Sequence, residues 1–158
     1  MWDAFPMATR SKLAVILHAD VVGSTVLVQQ DEHAAHDRFQ EAFRKLASAI
    51  AAYGGVTHEL RGDALVAEFA RASDAVCAAL EFQLGHAASG DSPPDPLAAR
   101  LRIGIALGEV VFADATVTGA GVVLAQRVEQ LAEPDGVCVT EAVREALPGR
   151  QFYRHFES

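Results

Sequence analysis

An α+β fold built on a ferredoxin-like, split βαβ core is what the sequence predicts, on three observations. Short apolar runs rich in β-branched residues are interspersed with longer stretches of helical periodicity. The segments come in the order strand, helix, two strands, helix, strand, then helix and strand, unlike the regular alternation of a doubly wound sheet. The middle two strands are joined by a tight turn containing glycine, the mark of a hairpin. A chain of 158 residues, 51% hydrophobic and 22% charged, suits one soluble domain with a sizeable core.

Each element has its own signal. Leu13 to Val22 is a short apolar run ended by Gly23, a buried strand. From Ser24 to Tyr53 the spacing turns helical, with Phe39, Phe43, Leu46 and Ile50 on one face, until Gly54-Gly55 stops it. Val56–Leu60 and Ala64–Phe69 read as strands around Arg61-Gly62-Asp63. A second helix is expected with Ser73 as its cap and Val76, Leu80 and Leu84 along it. Gly90 to Pro96, GDSPPDP, predicts a surface loop. Leu101, Ile103, Ile105 and Leu107 alternate as a strand, and Val110 to Phe112 continue or pair with it. A third helix follows Gly119 to Gly121, placing Val122, Ala125, Val128 and Leu131 on one face and ending near Pro134. Val137–Val139 is a short strand, and Thr140 caps a last helical turn.

Composition excludes several functions. A net charge of −8 with no basic stretch argues against binding nucleic acid or an anionic membrane surface. Two cysteines, Cys77 and Cys138, form neither a disulfide framework nor a zinc pattern. MWDAFPMATRSK has no apolar signal core, and no later run is long enough to span a bilayer, so a cytoplasmic setting is expected, whether alone or as part of a larger protein. Gly119-Ala-Gly121 lacks the third glycine and the acidic partner of a dinucleotide loop. A phospho-aspartyl enzyme built on Asp20 is likewise poorly supported, since Val21 and Val22 beside it are not acidic.

The candidate chemistry lies in two acids. Asp20 ends the first strand and Asp63 sits in the hairpin turn; in a ferredoxin-like sheet these segments are neighbours, so the acids are expected at one edge. Adjacent carboxylates repel unless a proton or cation intervenes, and paired divalent ions held by such acids serve phosphoryl chemistry. Hard oxygen ligands suit Mg²⁺ or Mn²⁺. The amides of Gly23, Ser24 and Thr25, heading a helix, are placed to hold phosphate oxygens. Taken singly, each acid is more simply read as a solvated residue, Asp20 at a strand end and Asp63 in a hairpin turn.

Three motifs together, AVILHADVVGST, HELRGDALVAEF and GAGVVLAQRVEQLAEPDGVCVT, resemble the catalytic domain of class III adenylyl and guanylyl cyclases over Leu13 to Leu147. The resemblance implies a head-to-tail homodimer with active sites at the interface. Each site would use two Mg²⁺ or Mn²⁺ ions to turn a purine nucleoside triphosphate into a 3′,5′-cyclic nucleotide and pyrophosphate. It implies Asp20, Val21 and Asp63 as the metal positions, Arg127 as the arginine that stabilises the transition state, and Glu59 and Thr116 as the base-reading pair. It divides the chain into an extension, residues 1–12, and the catalytic domain, 13–158, with the family's last strands and a phosphate-contacting lysine expected beyond the C-terminus; no lysine follows Lys45.

Two positions depart from the family pattern. Adenylyl cyclases usually carry lysine where Glu59 stands, and guanylyl cyclases carry glutamate; the carboxylate accepts from guanine N1–H and the 2-amino group, whereas adenine N1 offers it only a lone pair. The family prior is ATP to cyclic AMP, with Glu59 biasing the choice toward GTP. Val123 replaces a ribose-orienting asparagine and has no polar group to offer. His18, two before Asp20, reads as a core or near-core histidine. Read without the family, Arg127 is a surface arginine that pairs with Glu129 or Glu133. A non-catalytic, nucleotide-binding dimer and another metal-dependent phosphoryl-transfer enzyme are the rival functions.

Overall fold

The computed structural model describes residues 10–61, 63–88, 98–114 and 116–149. Its sheet is built from β1 (Arg10–Val21), β2 (Val56–Arg61), β3 (Ala64–Phe69), β4 (Leu101–Ala113), β5 (Thr116–Thr118) and β6 (Val137–Val139). The strands lie in the order β2-β3-β1-β4-β5, and β6 runs parallel beside β4. β1, β3 and β4 pair antiparallel, so the first four strands reproduce the expected split βαβ core with β1 at its centre.

Helices α1 (Ser24–Gln30), α2 (Glu32–Ala52), α3 (Ala72–Ala88), α4 (Ala120–Leu131) and α5 (Glu141–Glu145) complete the fold. The period-2 pattern of the strands sorts side chains between two cores. Val15, Leu17, Ala19, Leu65, Ala67, Ile103 and Ile105 face α2 and α3, which contribute Phe39, Phe43, Leu46, Ile50, Val76 and Phe82. The opposite face holds a smaller core of Ala14, Ile16, Val66, Ala106, Val110 and Val117 under Ala125 of α4. His18 and Asp20 continue that second face.

The structure corrects the expected boundaries in several places. β1 begins at Arg10, three residues early. The single helix expected from Ser24 to Tyr53 is two, because Asp31 is extended (φ −160°, ψ 97°) and its side chain accepts from the Ala34 amide, capping α2. Ser73 lies inside α3, which starts at Ala72; small alanines form its buried stripe, and Leu84 is exposed. Val110 to Phe112 continue β4, and β5 was not foreseen. Leu131 is exposed, while Glu129 takes its place on the buried side of α4. The expected loop from Gly90 to Pro96 lies outside the described residues. Thr140 caps α5 as expected, accepting from the Val143 amide.

α4 packs on β4 nearly backbone to backbone. A Cβ on Gly104 would stand 2.2 Å from the Ala125 carbonyl oxygen and 2.4 Å from the Glu129 amide nitrogen. Gly104→Ala is therefore expected to push α4 off the sheet and cost about 3 kcal/mol, since neither backbone atom can yield. Urea denaturation measures this as a lowered midpoint.

Candidate active site

Asp20 is the penultimate residue of the central strand. Antiparallel register sets it opposite Ala64 on one side and Arg102 on the other. Asp63 immediately precedes Ala64, and two contacts fix it against the end of β1. Its carbonyl accepts from the Val21 amide at 3.1 Å, and its Oδ2 accepts from the Ser24 hydroxyl at 3.0 Å. The two acids thus reach one edge, as their sequence contexts suggested. Between them the chain turns at Gly23, whose φ of +65° is left-handed and favours glycine, so α1 can start at once. The amides of Ser24 and Thr25 head α1, while the Ser24 hydroxyl is committed to Asp63.

Asp20 is electrostatically loaded. Burial is the chief cause that pushes its carboxyl up to about 7, followed by the charge and close carboxyl contact of Glu129; Arg102 and His18 pull the other way without prevailing. Arg102 Nε lies 3.6 Å from Asp20 Oδ1 and 3.8 Å from Glu129 Oε2. Glu129 is fully buried, and its Oε1 lies 3.1 Å from His18 Nδ1. His18 is therefore the near-core histidine expected, and Glu129 is not the exposed partner for Arg127 that the sequence offered as an alternative.

Glu59 owes its direction to an irregularity in the hairpin. Thr57 pairs with Ala67, but Glu59 pairs with Val66, leaving His58 as the extra residue of a β-bulge. Opposite residues in an antiparallel pair share a face, so Glu59 joins Val66 on the α4 side of the sheet. There its Oε1 accepts from the Val117 amide at 2.9 Å, tying β2 to β5. Thr116, next to Val117, is exposed, and its hydroxyl donates to the Ala113 carbonyl at 2.8 Å. Glu59 and Thr116 are thus brought together. Val123 and Arg127, one turn apart on α4, are both exposed. Among the described residues no ion pair joins Arg127 to Asp20, Asp63, Glu129 or Glu133.

The donors present fit a hard divalent cation. Asp20 Oδ1 is buried and accepts no hydrogen bond among the described residues, and a carboxyl raised by burial and a second acid is relieved by positive charge. Among the described residues no three of His, Cys, Asp and Glu converge as a ready cage, so this chain offers acids at one edge rather than a closed metal site.

Sequence reasoning missed Arg102 and Glu129. Arg102 occupies the polar phase of an otherwise apolar strand, and Gly121, Ala125 and Glu129 follow one another at four-residue spacing on the buried stripe of α4. The second signal was available. A glutamate in step with two small buried residues sits where apolar side chains are expected.

Among the described residues no helix is long and apolar enough to cross a membrane. The family model for the adenylate and guanylate cyclase catalytic domain matches residues 7–157. Putative adenylate cyclase 3 of Rhizobium meliloti (strain 1021) is 34% identical over 142 residues, covering 89% of this chain but 24% of that protein. The chain therefore spans about a quarter of that relative's length. Among solved structures, the adenylate/guanylate cyclase/hydrolase from Silicibacter pomeroyi superposes with a TM-score of 0.77 at 32% identity, covering 87% of this chain and 80% of that one. The guanylyl cyclase Cya2 shares the fold, with a TM-score of 0.79 at 24% identity over 91% of this chain and 82% of its own. With its matched span and its sheet both those of the cyclases, this chain belongs to the adenylate and guanylate cyclase catalytic domain family.

Proposed function

We propose that the chain is the catalytic domain, residues 13–158, of a nucleotidyl cyclase that converts a purine nucleoside triphosphate into a 3′,5′-cyclic nucleotide and pyrophosphate. The observation that supports it most is the meeting of Asp20 and Asp63 at one sheet edge beside the start of α1. Asp20 and Asp63, with Val21 offering its carbonyl oxygen, would hold the two Mg²⁺ or Mn²⁺ ions. When bound, these ions supply Lewis acidity and neutralise phosphate charge. The Gly23, Ser24 and Thr25 amides then face the phosphate tail.

The ribose 3′-oxygen attacks the α-phosphorus, forming the cyclic ester; the bond to the bridging oxygen breaks, pyrophosphate leaves with its electron pair, and the 3′ proton passes to solvent. Negative charge grows on the α-phosphate during this displacement. Arg127 stabilises that charge more than it stabilises the ground state. Among the described residues no ion pair joins Arg127 to Asp20 or Asp63, and a head-to-tail homodimer would bring it to the Asp20 and Asp63 of a second copy. Glu59 and Thr116 travel with Arg127 on the α4 face and line the base pocket of that shared site.

Base choice follows from Glu59. Its carboxylate accepts where guanine donates and meets a lone pair where adenine accepts. Val123 gives the ribose no hydrogen bond. Purified protein incubated with Mn²⁺ and ATP or GTP is expected to release cyclic nucleotide and pyrophosphate. Glu59→Lys is expected to move the ATP/GTP ratio of kcat/KM toward ATP by about tenfold or more, as a mismatch at a half-buried polar group is worth on the order of 1–3 kcal/mol. The variant also deprives the Val117 amide of its acceptor, so its melting temperature is recorded alongside. An unchanged ratio overturns this account of base choice, and nucleotide binding without product favours a regulatory dimer.

A further inference from the structure

We propose that Arg102 and Glu129 are positioning residues for the cation corner, Glu129 holding the Arg102 guanidinium back so that Asp20 remains available to a metal. The inference rests on the reading of Asp20 and Asp63 as metal ligands. Its own support is geometric. Arg102 is the direct cross-strand partner of Asp20 on the same face, with Nε 3.6 Å from Oδ1. A guanidinium so placed, with no other anion near, would take both oxygens of Asp20 in a fork and repel a dication. Glu129, fully buried and 3.8 Å from the same nitrogen, divides that charge.

Each part of the arrangement is rigidly mounted. Glu129 is anchored by His18, two residues before Asp20 on β1. Its own backbone is seated over Gly104, two residues beyond Arg102 on β4. Three elements thus set the distances by which Arg102 faces two carboxylates that also touch each other. Neither Arg102 nor Glu129 is proposed to touch metal or nucleotide; both act through Asp20, as outer groups orient inner ligands.

Mn²⁺ binding to the nucleotide-free protein, followed by electron paramagnetic resonance at pH 8, tests this. Glu129→Gln keeps the shape and the His18 contact but removes the charge that restrains Arg102. It is expected to weaken Mn²⁺ binding about tenfold. In an Arg102→Gln background the same substitution is expected to cost less than about threefold, because the residue through which it acts is gone. Affinity unchanged by Glu129→Gln, or lowered equally in both backgrounds, overturns the proposal. Should Glu129→Gln fail to fold, Glu129→Asp withdraws the charge by one methylene and is expected to lose about threefold, with no loss again overturning it. Asp20→Asn separates the two levels: if it leaves Mn²⁺ binding intact, the metal-ligand reading itself fails.

Discussion

Asp20→Asn is expected to abolish cyclic nucleotide formation and, in the same molecule, to make the metal-free protein more heat-stable at pH 8. The first effect follows, on the proposed two-metal reading, from losing a charged oxygen ligand. Lewis-acid stabilisation contributes several kcal/mol to the transition state, and each 1.4 kcal/mol is about tenfold, so a loss of roughly a thousandfold or more is expected. The second follows from the position of Asp20 between burial and Glu129, which raises its carboxyl from 3.8 to about 7. Between those values the folded state binds a proton that the unfolded state releases. Wild-type stability therefore rises from this group as pH falls from 7 toward 4, and declines as pH climbs through 7. Asparagine carries no such charge and can donate to Glu129. A melting temperature higher by about 3–5 °C at pH 8 is expected, after discounting for partial exposure. The advantage should shrink toward pH 4, and a constant difference across that range would refute the cause given.

Arg127→Ala is the companion case, with an expected fall in kcat of about a hundred- to a thousandfold and a smaller change in KM, since on the proposed reading the guanidinium meets charge that develops during reaction. Arg127 is exposed and in no ion pair with Asp20, Asp63, Glu129 or Glu133 among the described residues, so stability should hardly change. Its diagnostic value lies in mixing. If each site takes its acids from one copy and its arginine from another, Asp20→Asn and Arg127→Ala proteins are each inactive alone, yet a mixed dimer contains one intact site. Random exchange would restore about a quarter of wild-type activity, half the dimers being mixed and each having one working site of two. Failure of the mixture to recover, with dimer exchange verified by a tagged subunit, would place acids and arginine in the same copy and refute the shared-site arrangement.

How far the chain could be read in advance depended on whether its signals were local. β1, the β2–β3 hairpin and the Thr140 cap were legible because each is set by a few adjacent residues: an apolar run, a glycine turn, a hydroxyl before a helix. The meeting of Asp20 with Asp63 needed only the split βαβ order. Asp31 escaped notice because an aspartate within a helical pattern reads as one more solvent-facing residue until its φ is known. β5 is three residues long, too short for any period to show. Arg102 and Glu129 were missed for a different reason. What makes them matter is a three-element meeting of β1, β4 and α4; the four-residue step of Gly121, Ala125 and Glu129 hints at burial of the glutamate but not at which groups on the strands it meets.

The bulge at His58 carries a consequence for how preference between purines can change. Strand side chains obey an odd–even rule, and one extra residue inverts the parity of everything beyond it on that strand up to the turn. Glu59 faces the α4 side only because of that inversion; with an even count it would point at the helices α2 and α3, whatever its chemistry. On the proposed reading of Glu59, base preference would thus be encoded twice, by the identity of one side chain and by the counting of the residues before it.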